Sequence, residues 1–159
     1  GAASAIGRLN KSQYLTVVVT NQSVIARGKC TEADMDVIHD RLQSLIGEYR
    51  AYINRIYYCP HYPDRQIPGD RQDLKIVCDC RKPEPGLILR AAKEMNIDLD
   101  MSWMVGDRIS DIEAAKMAGI RSILLAKQGN FDNQWSVNPD AQCLDLKEAV
   151  DFILSYSID

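Results

Sequence analysis

The chain has 159 residues, of which 46% are hydrophobic and 26% are charged, and its formal net charge is -3. This is the size and composition of one ordinary domain, so we expect a single domain over residues 1–159. The acidic balance does not support nucleic-acid binding, and no apolar run approaches the roughly 18 residues that a membrane-spanning helix needs. Residues 1–7 lack the basic start and apolar stretch of a signal peptide. We therefore predict no nucleic-acid partner and no membrane partner.

Short apolar runs alternate with segments of helical periodicity along the chain. The predicted strands are residues 15–19, 53–58, 103–105 and 123–125. Predicted helices begin close to residue 1, after Thr31, at Pro85, with Ser110 as a cap, and after Asp145. Strands that alternate with helices indicate an α/β fold with a parallel sheet between two helical layers, a Rossmann-like α/β/α arrangement. Ligands of such folds bind beyond the carboxyl ends of the strands.

Three of the five cysteines are crowded around one histidine in a CxH…CxC pattern. The pattern consists of Cys59, His61, Cys78 and Cys80. A tetrahedral set of three thiolates and one imidazole leaves no open position, so it predicts a structural zinc ion. That ion would fix both ends of the polar loop 62–77. The alternatives are buried thiols beside a surface histidine, or a disulfide across the CxC pair, for which the spacing is tight.

An odd number of cysteines, grouped in this way, fits metal binding in a reducing compartment better than a disulfide framework. We therefore expect a cytoplasmic protein. The remaining thiols, Cys30 and Cys143, receive no role.

Polar residues that suit a phosphate follow the first strand and the zinc motif. Thr20 and Asn21 end the 15–19 strand, where a hydroxyl, an amide and main-chain N–H groups are placed to bind phosphate oxygens. Asn and Thr are also common in ordinary turns, which is the alternative explanation. Arg81 and Lys82 directly follow the zinc motif, and two adjacent cations suit a phosphate, although most such pairs are simply solvated.

A GDxxxD motif occupies residues 106–111, at the end of the 103–105 strand. Asp107 is placed to bind a hard cation such as Mg²⁺, and Asp111 is placed to hold a cation or a lysine. Acidic residues also favour a helix N-terminus through its dipole, which explains Asp111 more easily than Asp107. Gln22 and Arg27 lie in the loop after the first strand, where Arg27 either reaches a polyanionic substrate or is a surface arginine.

Four segments together resemble the haloacid dehalogenase (HAD) superfamily of phosphatases. They are VVVTNQSVIARG (17–28), IYYCPHYP (56–63), CDCRKPEPG (78–86) and MVGDRISD (104–111). More narrowly, the chain is similar to the zinc-containing D-glycero-D-manno-heptose 1,7-bisphosphate phosphatases. The resemblance covers almost the whole chain. Val24 and Arg108 depart from the Gly and Lys that are common at these positions in the family.

The resemblance implies Mg²⁺-dependent hydrolysis of a small sugar phosphate through an aspartyl-phosphate. The implied reaction converts heptose 1,7-bisphosphate to the 1-phosphate, on the route to lipopolysaccharide precursors. It implies catalytic roles for Thr20, which binds the transferring phosphate, for Lys82, which stabilises its charge, and for Asp107, which binds Mg²⁺. Asp111 would support the site. The implied substrate-binding residues are Thr20, Asn21, Gln22, Arg27, Arg81 and Lys82.

The first motif of the family, DxDGT at the end of an N-terminal strand, has no counterpart before Thr20. We therefore expect the chain to lack the first strand, the nucleophile and the general acid/base. In this superfamily that strand lies between the strands at 17–19 and 104–105. An omitted or cleaved segment is favoured over a strand donated by another chain or a repacked relative. We expect residues 1–159 alone to be inactive and monomeric.

Two other functions remain open on the sequence. The histidinol-phosphate phosphatases share the TNQ, CPH and CDCRKP elements, but the long loop 62–77 and the SVIARG segment favour the heptose enzymes. A catalytically dead phosphate-binding domain is the alternative from a different class.

Overall fold

The computed structural model describes residues 1–64, 69–126 and 137–156. In this part of the chain, helices and strands alternate. They are α1 (Ala2–Leu9), β1 (Val17–Asn21), α2 (Glu32–Gly47), β2 (Arg55–Cys59), a 3₁₀ turn (Gln72–Leu74), α3 (Gly86–Met95), β3 (Trp103–Gly106), α4 (Ile109–Ala118), β4 (Arg121–Leu125), β5 (Ala141–Cys143) and α5 (Leu146–Ser155). Among the described residues, no helix combines the length and the apolar character needed to cross a bilayer.

The strands form two parallel sheets. β1 pairs with β2, which places Asn21 opposite Cys59, and β4 lies between β3 and β5. No described residue forms the strand that the resemblance implies between β1 and β3. Val19 of β1 packs against the apolar cluster that contains Met104 of β3, so side chains connect the two sheets there.

Helices cover both faces of these sheets, because successive side chains of a strand point to opposite sides. On one side, Val18 of β1 packs in a cluster with Ile6 of α1 and Ile46 of α2, while α5 covers β3, β4 and β5. On the other side, Val17 packs with Leu87 of α3. α4 covers β3 and β4 on that same side. The predicted α/β/α arrangement is confirmed.

The helix starts follow the capping signals except at α4. Thr31 and Asp34 form the predicted capping box, in which the Thr31 hydroxyl accepts from the Asp34 N–H at 3.1 Å. The prediction that Ser110 caps the next helix is wrong. α4 begins at Ile109, two residues before the start that a Ser110 cap would give, and the Asp111 carboxylate accepts a hydrogen bond from the Arg108 N–H at 3.1 Å. Asp111 thus makes the return bond of a capping box, from the third helical residue to the N–H of the N-cap residue.

Two other differences concern the strands. All five residues of β1 are only half-buried, although the continuous apolar run predicted a fully buried strand. Among the described residues only β2 pairs with β1, so no described strand covers its second edge. β5 was not predicted, because its three residues, Ala-Gln-Cys, are too short to show a strand period.

Three strands end on the same edge of the molecule. β1 ends at Asn21, β2 at Cys59 and β3 at Gly106, and the predicted phosphate and metal motifs follow these residues. The fold therefore brings together segments that are separated by up to half the chain.

Candidate functional site

The predicted metal ligands converge at the end of β2. The Cys59 Sγ lies 3.5 Å from the Cys78 Sγ and 2.8 Å from the Cys80 Sγ, and the His61 Nδ1 lies 3.3 Å from the Cys80 Sγ. All four ligand atoms lie within 4.8 Å of one another. In a tetrahedral zinc site the sulfur atoms are about 3.8 Å apart. The donor set suits one small tetrahedral dication, with His61 offering Nδ1, and the sulfur atoms would have to move slightly apart to bind it.

Burial makes this cluster unfavourable for thiolates in the absence of a cation. Burial raises the pKa of the Cys59 thiol. Burial and hydrogen bonds with the neighbouring cysteines raise the pKa of the Cys80 thiol. A bound dication reverses this preference, because a coordinated thiol loses its proton. All five cysteines lie in the described part of the chain, and none forms a disulfide.

Hydrogen bonds and an ion pair connect the loop that follows His61 to the loop that follows β1. The Arg71 N–H donates to the Ala26 carbonyl at 2.8 Å, and the Arg71 guanidinium pairs with Glu32 at 2.8 Å. Gly28 has a φ of +62°, and a Cβ there would lie 2.4 Å from the Gly69 carbonyl oxygen, so only glycine fits. These contacts fix the two loops relative to each other.

Asn21 fixes the main chain of Lys82. The Asn21 Oδ1 accepts from the Lys82 N–H, and the Asn21 Nδ2 donates to the Lys82 carbonyl, both at 3.0 Å. Both polar atoms of the Asn21 amide therefore already form hydrogen bonds within the protein. The side chain of Lys82 then reaches back to β1, where its Nζ donates to the Val19 carbonyl at 2.8 Å.

A buried carboxylate completes the environment of this lysine. The Lys82 Nζ lies 2.6 Å from the Asp111 Oδ1, and the two side chains are only 11% and 6% exposed. Asp111 reaches this position because Gly106 has no side chain. A Cβ on Gly106 would lie 2.3 to 2.5 Å from three atoms of Asp111. Through Lys82, which also bonds to the Val19 carbonyl, this ion pair links β1 to the helix that follows β3.

Three other residues predicted to bind phosphate or Mg²⁺ lie in or directly after β1 and β3. They are Thr20, Gln22 and Asp107. Gln22 continues β1, where its N–H donates to the Cys59 carbonyl at 2.8 Å. The Gln22 Nε2 donates to the Thr20 Oγ1 at 3.4 Å, which leaves the Thr20 hydroxyl proton available to an acceptor. Asp107 directly follows β3 and is exposed.

Arg27 and Arg81, which are far apart in sequence, meet at one aromatic ring. The Arg27 guanidinium carbon lies 4.6 Å from the centre of the Tyr62 ring, and that of Arg81 lies 5.0 Å from it. The Arg81 Nη1 also donates to the His61 carbonyl at 3.2 Å. Arg81 is thereby attached to the metal cluster through the main chain of one of the predicted ligands.

Comparison with known proteins gives this geometry a context. The chain is 36% identical, over all 159 of its residues, to a D-glycero-beta-D-manno-heptose-1,7-bisphosphate 7-phosphatase of Escherichia coli K12, and covers 76% of that relative. It is 42% identical over 130 residues to a relative of the same name from Haemophilus ducreyi, which is 81% of this chain and 69% of the relative. The chain belongs to this heptose-bisphosphate phosphatase family.

Solved structures agree with that assignment. The fold superimposes with a TM-score of 0.82, at 30% identity, on a D,D-heptose 1,7-bisphosphate phosphatase from B. bronchiseptica complexed with magnesium and phosphate, covering 97% of this chain and 82% of that one. A putative HAD-like phosphatase from Mesorhizobium loti gives a TM-score of 0.77 at 28% identity, over 96% and 70%. A HAD-hydrolase-like family model matches residues 79–149. The predicted HAD fold and the resemblance to the heptose-bisphosphate phosphatases are confirmed.

Two features of this candidate site were not predicted from the sequence. The carbonyl of Val19 carries no side-chain signal, so its contact with Lys82 is visible only in the fold. Tyr62 received no role, although it directly follows the predicted ligand His61 in a segment close to several cations. Its contact with Arg27, which is distant in the sequence, is visible only in the fold.

The buried ion pair yields a stability prediction. Asp111→Asn keeps the shape of the side chain but leaves the Lys82 ammonium without its carboxylate. We expect the free energy of unfolding to fall by about 3–5 kcal/mol, since breaking one partner of a buried pair leaves an uncompensated charge. Urea unfolding followed by circular dichroism measures this change.

The matched control is Asp73→Asn, which removes a carboxylate from the exposed pair with Arg71. Arg71 keeps Glu32 as a partner, so we expect the urea midpoint to stay at the wild-type value. Equal, small effects of the two substitutions would show that the Lys82–Asp111 pair does not hold this edge of the sheet.

Proposed function

We propose that the protein hydrolyses the 7-phosphate ester of D-glycero-D-manno-heptose 1,7-bisphosphate and leaves the 1-phosphate. The observation that carries this proposal is the position of the Lys82 ammonium, which is fixed between β1 and Asp111 at the edge where the strands end. The relatives that bear this activity in their names are similar to the chain over its whole length. A histidinol-phosphate phosphatase has no comparable support among these relatives.

Thr20 and Lys82, at the strand ends, are the proposed ligands of the transferring phosphate. The Thr20 hydroxyl donates to one phosphate oxygen, and the Lys82 ammonium balances the negative charge that the phosphoryl group carries. Gln22 orients the hydroxyl, since its amide already occupies a lone pair of the Thr20 oxygen. Asn21 holds the main chain of Lys82, so that the ammonium needs no rearrangement before it meets the phosphate.

Asp107 is the proposed ligand of the catalytic Mg²⁺. It is an exposed carboxylate directly after β3, and Mg²⁺ is commonly held by one or two carboxylates while water and substrate phosphate fill the other positions. When bound, the ion supplies shielding of the phosphate charge. Asp111 is not available in the same way, because its two oxygens bond to Lys82 and to the Arg108 N–H. Its proposed role is to hold the lysine.

Zinc is the proposed occupant of the four-ligand cluster formed by Cys59, His61, Cys78 and Cys80. Three thiolates and one imidazole match the preference of zinc, and the set leaves no position for a substrate. Its proposed function is structural. Among the described residues of the loop 62–77, none is a buried apolar residue, so the proposed ion would replace the hydrophobic contacts that otherwise hold a loop.

Loss of one ligand tests this structural role. Cys78→Ser should abolish stoichiometric zinc, increase hydrogen exchange in the 62–77 loop, and raise KM, because Arg81 and Lys82 follow the cluster directly. Zinc is measured by elemental analysis and exchange by mass spectrometry. The control Cys30→Ser alters a thiol outside the cluster and should retain one zinc per chain. Zinc loss with unchanged exchange and KM would contradict the proposal.

The activity itself is tested by phosphate release with Mg²⁺. The complete translated product of the gene should hydrolyse heptose 1,7-bisphosphate in preference to histidinol phosphate, whereas residues 1–159 alone should release no phosphate, since no DxD motif precedes Thr20. A complete product that prefers histidinol phosphate, or that hydrolyses neither ester, refutes the proposed substrate. Normal turnover by residues 1–159 refutes the expectation that a nucleophile is lacking.

A further inference from the structure

Arg71 connects the loop 62–77 to the loop that follows β1. Its main-chain N–H donates to the Ala26 carbonyl at 2.8 Å, and its Nη1 donates to both carboxylate oxygens of Glu32, at 2.8 and 2.9 Å. Ala26 lies in the loop between β1 and α2, and Glu32 is the first residue of α2. The Arg71 Nη2 also donates to Asp73, in its own loop, at 2.7 Å. One arginine therefore bonds both between the two loops and within one of them.

The loop that follows β1, residues 22–31, contains no helix or strand but is partly buried. Ile25 and Ala26 are both 0% exposed. Gly28 lies so close to the neighbouring loop that a Cβ there would be 2.4 Å from the Gly69 carbonyl oxygen. Because no regular element fixes this loop, its position depends on contacts with neighbouring segments, such as the bonds from the arginine.

The residues proposed to bind the transferring phosphate lie where this loop begins. The Gln22 carbonyl accepts from the Ile25 N–H at 3.2 Å, while the Gln22 Nε2 donates to the Thr20 Oγ1 at 3.4 Å. Gln22 is thus bonded to the loop through its main chain and to the proposed phosphate ligand through its side chain. A change in the position of the loop reaches the Thr20 hydroxyl through this one residue.

The two carboxylates that bind Arg71 differ in what they hold. Glu32 belongs to another element, so its pair with Arg71 restricts the two loops relative to each other, whereas Asp73 restricts only the arginine side chain. The three side chains are 40% to 62% exposed, and an exposed pair adds little to the free energy of unfolding. The consequence of the Arg71–Glu32 pair is therefore local, in the position of the loop that follows β1.

We propose that Arg71 is a positioning residue for phosphate hydrolysis, whose pair with Glu32 holds the loop that follows β1 in the conformation that presents Gln22 and Thr20 to the substrate. This inference rests on the proposed function, because the reaction is the one assigned there. When only a fraction of the molecules has the binding conformation, the apparent affinity falls by that fraction. Saturating substrate restores the conformation, so the pair acts on KM and not on kcat.

The test removes the contact from either side in the complete translated product. Arg71→Ala and Glu32→Gln should each raise KM for heptose 1,7-bisphosphate roughly threefold, the effect of one exposed ion pair, while kcat stays close to the wild-type value. Because the two substitutions break the same contact, the double variant should show no larger rise than either single variant. A loss of folded enzyme would instead lower the apparent kcat at an unchanged KM.

The matched control is Asp73→Asn, which removes the carboxylate that lies in the same loop as Arg71. The pair with Glu32 remains in this variant, so KM should equal that of the wild type. Hydrogen exchange measured by mass spectrometry should follow the same division. Exchange in residues 22–31 should be faster in Arg71→Ala and Glu32→Gln than in the wild type, and unchanged in Asp73→Asn.

The outcomes separate this inference from the proposed function. An unchanged KM in Arg71→Ala and Glu32→Gln, additive rises in the double variant, or an equal rise in Asp73→Asn overturns the positioning role. If the wild type does not hydrolyse the heptose ester, the proposed function fails, and hydrogen exchange without substrate tests the arginine alone. Faster exchange of residues 22–31 in both variants then supports the role of Arg71 in holding this loop, and exchange equal to that of the wild type overturns it.

Discussion

One buried ammonium group connects the parts of this molecule that matter for its chemistry. Lys82 bonds to the Val19 carbonyl of β1 and to the Asp111 carboxylate of α4, while Asn21 fixes its main chain. β1 and β3 belong to separate sheets, so this group is a polar link between them in addition to the apolar contact of Val19. A buried ion pair adds little net stability, because both charges lose their hydration. Its value here is that it determines where a positive charge lies.

The metal cluster and the lysine are parts of one arrangement. The cluster sits at the end of β2 against α3, where Cys78 and Cys80 pack on the apolar group that contains Leu87. It therefore fixes the segment from which Arg81 and Lys82 extend. Arg27, from the loop that follows β1, and Arg81 both contact the ring of Tyr62. On the proposed function, an ion held by this cluster would fix the segment that carries Lys82.

The sequence was most informative where the signal is local. The four metal ligands occur as two short pairs, and a thiol or imidazole has few other reasons to recur at that spacing, so their convergence was predictable. The strand ends were also predictable, because apolar runs stop at Thr20, Cys59 and Gly106 and parallel strands share one edge.

Features that depend on tertiary contacts were not predictable. Three cations from three different segments lie near the ring of Tyr62, and no local sequence pattern predicts that they meet there. The half-burial of β1 depends on which strand lies beside it, which its own apolar run does not encode. Likewise, α4 begins before Ser110 because Asp111 reaches back to the Arg108 N–H in the space left by Gly106.

The central claim is that Lys82 is positioned to bind the transferring phosphate. A crystal structure of the complete translated product with Mg²⁺ and inorganic phosphate tests it most directly. The account predicts a phosphate oxygen about 2.7–3.0 Å from the Lys82 Nζ and another at a similar distance from the Thr20 Oγ1, with Asp111 still paired to the lysine. A phosphate bound at this edge without contact to Lys82, or a lysine that leaves Asp111 and turns to solvent, would contradict it.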